Sequence, residues 1–115
     1  MALHDISETK VAALAAEIND GGGSALTFAA DIAEPDQCVE LIEAAAAAME
    51  GLDVLVNGAG INRRKPIVEV TVDDFDAITA VNMRAVYLLS QAAHPHLAAS
   101  PPPALVNPSP PRAPP

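Results

Sequence analysis

Aromatic side chains are nearly absent from this 115-residue chain, which has no tryptophan, one tyrosine and two phenylalanines. Any core therefore has to be assembled from Ala, Val, Leu and Ile, which supply less buried area per residue than rings do. Positive charge is also scarce, with six Lys and Arg against fifteen Asp and Glu and a formal net charge of -9. Binding to nucleic acid or to an anionic lipid surface rests on neutralising negative charge with cations, so neither partner is expected. The single cysteine, Cys38, excludes an intrachain disulfide and suits a reducing compartment. No run approaches the roughly 18 apolar residues of a membrane span, and the polar first ten residues lack the apolar centre of a secretory signal. A cytoplasmic location is the expectation. What the chain does have is a composition 50% hydrophobic and only 18% charged, enough to fold as one domain rather than stay disordered.

Three strand-then-helix units follow one another. Residues 2–6 read as a short strand ending at Asp5. Ser7 or Asp5 caps a helix whose apolar stripe is Val11, Leu14, Ala15 and Ile18, and Gly21, Gly22 and Gly23 stop it. Residues 24–30 read as a buried strand, with Asp31 at its end. Pro35 opens a second helix with the stripe Val39, Ile42, Ala46 and Met49; Cys38 beside that stripe is a small core residue. The strand Leu52–Val56 runs into Asn57, Gly58, Ala59 and Gly60. Thr71 and Asp74 have the spacing of a capping box, and the helix after them carries the stripe Phe75, Ile78, Asn82, Val86, Leu89 and Ala93. From residue 101 onward proline dominates, which predicts an extended, disordered tail over 101–115 after a folded unit over 1–100. Alternating strands and helices imply parallel strands joined by right-handed crossovers, an α/β layered sheet.

In open parallel sheets ligands bind beyond the carboxyl ends of the strands, here Asp5, Asp31 and Asn57 to Gly60. Taken singly, each is a common helix cap or tight turn. His94 and His96 have a spacing that two metal ligands share, but no third ligand stands near them in sequence, and no metal site is expected.

In order and spacing, three segments resemble the short-chain dehydrogenase/reductase family. LDVLVNGAGI is similar to its fourth strand and Asn-Asn-Ala-Gly turn. AADIAEPDQ is similar to its third strand end, and ITAVNMRAVYLLSQAA to the helix that carries its catalytic asparagine. The resemblance covers residues 2–100. It implies a partial Rossmann-like, doubly wound parallel sheet of three βα units, in which the family's central first strand, between its second and fourth, has no counterpart. It also implies a nicotinamide-dependent oxidoreductase with a small-molecule substrate and, as in the intact family, a homo-oligomeric assembly.

Carried over by position, Asp5 falls where the family binds the adenosine ribose hydroxyls, so NAD is favoured over NADP. Asp31 and the backbone of Ile32 fall at the adenine, and Asn57, Ala59 and Gly60 on the turn that lets backbone approach the cofactor. Gly58 departs from the pattern by replacing the second Asn of that turn. Asn82 matches the catalytic asparagine and is expected on the buried face of its helix. GINRRKP resembles the gluconate-type, sugar-acid branch, which makes Arg63 and Arg64 candidates for a substrate carboxylate; a solvated loop is the competing reading of the same cluster.

Two parts of the family pattern are not found. The Gly-rich turn that seats pyrophosphate on a helix N-terminus has no match. The Ser and Tyr-x-x-x-Lys set has none either: Tyr87 lies upstream of where the motif stands, and Lys10 and Lys65 are elsewhere. ALVNPSP is faintly similar to the family's fifth strand, with Ser109 near the serine position, but its prolines argue against a strand. The expectation is therefore a chain truncated at both ends, inactive by itself and prone to self-association. The competing expectation is a non-catalytic nucleotide-binding or self-associating module.

Overall fold

The computed structural model describes residues 1–108. Its strands are β1 (Ala2–Asp5), β2 (Leu26–Ala29), β3 (Val54–Val56) and β4 (Ala104–Val106). Its helices are α1 (Glu8–Asp20), α2 (Pro35–Met49), α3 (Val72–Thr79) and α4 (Ala85–Ala98), with a π-helical turn, Ala80–Arg84, joining the last two. The strands form two separate parallel pairs. β1 lies beside β2 with Asp5 opposite Ala29, and β3 beside β4 with Val56 opposite Val106. Among the described residues each pair has two open edges, and no hydrogen-bonded strand bridges β1 to β3.

The helix ends obey local chemistry. The Ser7 hydroxyl accepts the Lys10 N–H at the start of α1. At its end Gly22 takes φ 91°, and a Cβ on Gly23 would stand 2.7 Å from the Ile18 side chain, so two glycines of the triplet are required on different grounds. Pro35 opens α2, and Glu50 closes it in the left-handed region at φ 59°. Thr71 and Asp74 form both halves of the capping box of α3.

The core lies between α2 and α4. Ile32, Cys38, Ile42 and Leu52 pack there against Ala85, Leu89, Ala93 and Leu97, and the Cys38 thiol is fully buried. Burial pushes that thiol's pKa up, with Asp31 adding to the rise and Arg84 opposing it. Cys38 donates to the Ile32 carbonyl at 3.2 Å.

Several expectations change here. The buried stripe of the last helix is Ala85, Leu89, Ala93 and Leu97, while Phe75 is 64% exposed and Asn82 is exposed. The π-helical turn inserts extra backbone at 80–84 and rotates everything after it relative to an unbroken 3.6-residue helix. On α1 and α2, Leu14 and Val39 also face out. β2, expected as a buried strand, is not one, since Leu26 is 42% exposed; in β3 Val54 and Val56 are about half exposed and Leu55 alone packs on the core. A run of apolar residues implies cover on both faces, and the described helices cover only one face of β3.

The chain also has a fourth strand, inside the segment whose prolines argued against one. Ala104, Leu105 and Val106 lie between the prolines, and their backbone groups are free to pair with β3. The Ala104 N–H donates to the Asp53 carbonyl at 3.1 Å, and the Asn57 N–H to the Val106 carbonyl at 2.9 Å. Ser109 lies outside the described residues.

Candidate functional site

Parallel pairing brings strand ends together. Asp5 closes β1 opposite Ala29, and the His4 ring nitrogen lies 2.8 Å from the Ala30 carbonyl, which holds the Asp5 end against the segment leading to Asp31. One Asp5 carboxylate oxygen accepts the Ser7 N–H at 2.8 Å. Asp31 is fixed more tightly: its N–H donates to the Gln37 side chain at 2.7 Å, its side chain accepts the Ala33 N–H at 3.0 Å, and its carbonyl accepts the Glu34 N–H at 3.0 Å. The Ile32 side chain sits in the core, so only its backbone is available to a ligand.

Asn57 follows β3. Its side-chain amide donates to the Ser90 hydroxyl at 3.3 Å and to the Asn107 side chain at 2.8 Å, tying the ends of β3 and β4 to α4. The Asn57 Oδ1 atom is buried and has no partner among the described residues. A buried acceptor left unmatched costs about 1–3 kcal/mol. Beyond it Ala59 and Gly60 are exposed, and a Cβ placed on Gly60 would stand 3.5 Å from the Asn82 side chain.

Asn82 reaches back from the π-helical turn to hold the loop that leaves this turn. Its carboxamide accepts the Ile61 N–H at 2.8 Å and donates to the Ile61 carbonyl at 2.9 Å. Two residues on, Arg84 donates to the Ala33 carbonyl at 2.6 Å. Hydrogen bonds from Asp31 to Ala33, from Ala33 to Arg84 and from Asn82 to Ile61 are thus joined along the chain between Arg84 and Asn82 and between Ile61 and Gly60. That path links the rim of the β1–β2 pair to the rim of the β3–β4 pair although no strand does.

The basic triplet is divided. Arg63 donates to one oxygen of Asp74 at 3.0 Å and Lys65 to the other at 2.7 Å, while the Thr71 N–H and hydroxyl also donate to it. Asp74 is 4% exposed, and Lys65, the Thr71 N–H and Arg63 together hold its carboxyl well below the usual carboxylate range. Arg64 is exposed and forms no ion pair among the described residues.

Sequence reasoning thus located Asp5, Asp31, Asn57 and Gly60 at or just past strand ends, whereas Asn82, expected on the buried face of its helix, is exposed in the π-helical turn. It missed Gln37, Arg84, Ser90 and Asn107, whose roles depend on which backbone group lies across from them. Asp74 was legible as a cap, and its second role was foreshadowed only by three cations a short way upstream. Among the described residues no group of three or more His, Cys, Asp or Glu is placed to hold a metal. His94 is exposed, and His96 lies 3.1 Å from Glu43. No described helix is long and apolar enough to cross a membrane.

A 4-formylbenzenesulfonate dehydrogenase of Comamonas testosteroni is 40% identical over 77 residues, which is 66% of this chain and 31% of that protein. A gluconate 5-dehydrogenase of Burkholderia cenocepacia, solved with NADP and tartrate, is 34% identical with a TM-score of 0.81, over 92% of this chain and 42% of that one. An NADH-dependent reductase responsible for alginate metabolism is 27% identical with a TM-score of 0.83, over 92% of this chain and 46% of that one. The chain therefore spans less than half the length of these relatives. Residues 1–109 match the family model described as short chain dehydrogenase. With its parallel α/β halves, its Asn-Gly-Ala-Gly turn after β3 and an asparagine helix gripping that turn, the chain belongs to the short-chain dehydrogenase family.

Proposed function

We propose that this chain carries the adenosine-facing part of a nicotinamide nucleotide site, in an oxidoreductase that acts on a hydroxyl or carbonyl of a small, carboxylate-bearing molecule of the sugar-acid kind. The observation that carries this reading is the pair of hydrogen-bonded links, Arg84 to Ala33 beside Asp31 and Asn82 to Ile61 beside Gly60, joined through the π-helical turn, with Asp5 held beside Asp31 by the β1–β2 register. A nucleotide fits the polar groups left over there. The second carboxylate oxygen of Asp5 is available to ribose hydroxyls and the backbone of Ile32 to adenine. When bound, the nucleotide supplies the hydride acceptor or donor. Asn57, Ala59 and Gly60 shape the turn against which it lies, and Asn82 is the family's catalytic asparagine by position.

NAD is the reading that Asp5 supports, since a carboxylate repels a 2′-phosphate. The gluconate 5-dehydrogenase and other similar solved structures are in complex with NADP or NADPH, which weighs toward NADP, and Asp5 is the feature of this chain that weighs toward NAD. Calorimetric titration of the chain with NADH and with NADPH decides between the two. Saturable binding that favours NADH by about tenfold, and loses that preference in Asp5→Ser, is the expected result, and tighter NADPH binding overturns it.

By itself the chain is expected to be catalytically silent, because Tyr87 is followed four residues later by Gln91 rather than lysine. Turnover of any sugar acid by the chain alone would remove that expectation. A second reading, a module that binds nucleotide or associates with itself without turnover, draws on the unpaired edges of β1 and β3. Saturable nucleotide binding by a monomer favours the module, and association without binding favours a piece of an enzyme.

A further inference from the structure

The loop 61–66 is held at both ends by α3 and the π-helical turn. Asn82 fixes its start through both backbone groups of Ile61, and Asp74 fixes its later part through Arg63 and Lys65. The Asp74 carboxylate accepts from both arms at once, together with two donors on Thr71, and it is nearly inaccessible to solvent. Oδ1 takes Arg63, and Oδ2 takes Lys65 and both donors of Thr71, so each oxygen of the buried carboxylate holds one of the two arms. The charged ends of Arg63 and Lys65 are therefore paired to α3, and although all three side chains are exposed, Arg64 is the one of them with no ion pair among the described residues.

We propose that Asp74 is the positioning residue of this loop: it ties down Arg63 and Lys65 so that Arg64 alone is presented to the carboxylate of a substrate. The inference rests on the sugar-acid reading above and narrows it to one cation. A loop already ordered by Asp74 and Asn82 does not have to be ordered again when a ligand binds, which lowers the entropic cost of recognition. A free trio of cations would take an anion in several poses. One free cation on an ordered loop takes it in one, and the planar guanidinium of Arg64 matches the two oxygens of a carboxylate.

The test is arginine-specific modification of the full chain with phenylglyoxal, read peptide by peptide by mass spectrometry with and without sodium tartrate. Arg64 should react quickly and be protected by tartrate about fivefold or more, while Arg63 should react slowly in either condition. In Asp74→Asn the Arg63 rate should rise to that of Arg64, and about tenfold more tartrate should be needed for protection. Asp74→Glu should restore the slow Arg63, because the charge and the capping position are both kept. Thr71→Ala removes the hydroxyl cap but leaves both arms paired, so it should lower stability without freeing Arg63; that separates tethering from general loosening of α3. Arg63 reacting as fast as Arg64 in the parent chain, or unchanged in Asp74→Asn, overturns the tether. A slow Arg63 that Asp74→Asn releases, with no protection of Arg64, retains the tether and overturns the carboxylate reading.

Discussion

Asp74 and Asn82 hold one six-residue loop by different means, the first by charge and the second by matching an amide to a peptide group. The difference predicts different sensitivities. A carboxyl whose pKa is depressed in the folded state contributes stability at every pH above its unfolded value of about 4, and that contribution is lost as the pH falls toward the folded value. Asp74→Asn should therefore flatten the acid limb of stability below about pH 4, measured as the urea midpoint at stepped pH. An acid limb identical to the parent's would show that the ion pairs do not persist in solution. Asn82→Ala should act at all pH values. It removes two exposed hydrogen bonds, each contributing about 0.5–1.5 kcal/mol net, and should speed hydrogen exchange at the Ile61 amide by about tenfold. The capping box at Thr71 and Asp74 was legible from spacing, since the chemistry of a helix start is local. The grip of Asn82 on Ile61 was not, because it joins residues 21 apart in sequence.

The last long helix shows where pattern reading fails. Its hydrophobic residues fit an ordinary helical stripe from Phe75 to Ala93, but the π-helical turn between α3 and α4 shifts the register, so Leu89 and Ala93 remain inside while Phe75 and Asn82 come out. That shift places the Asn82 carboxamide against Ile61 rather than in the core. Substitution distinguishes the two faces. Leu89→Ala should cost about 2–5 kcal/mol of unfolding free energy by urea titration, as expected for a buried leucine. Phe75→Ala should cost no more than about 0.5 kcal/mol, since surface changes rarely exceed that. Equal costs at the two positions would mean that the helix runs unbroken. The short β4 is the converse case. Three strand-forming residues between prolines look hopeless as a strand, yet the prolines fall outside the three that pair.

At the scale of the whole chain, two pairs of strands each bury one face and leave open edges, with Val54 and Val56 about half exposed beside them. Isolated two-stranded units are marginal in water, and bare edges pair with other chains. Sedimentation of the chain is expected to show association that grows with concentration, and Val56→Lys should reduce it by placing a charge on the bare face. A monomer at every concentration would show that the open edges are not adhesive. The alternation of strands and helices, the helix caps and the acidic or amide residue at each strand end were set by local sequence, because they depend on propensity, turn chemistry and hydrophobic period within a few residues. Which cations Asp74 claims, where the π-helical turn points Asn82, and the links between Asp31 and Gly60 were decided only by the tertiary structure. Each joins groups that the chain order keeps apart, and packing α2 against α4 is what brings their helices within reach of one another.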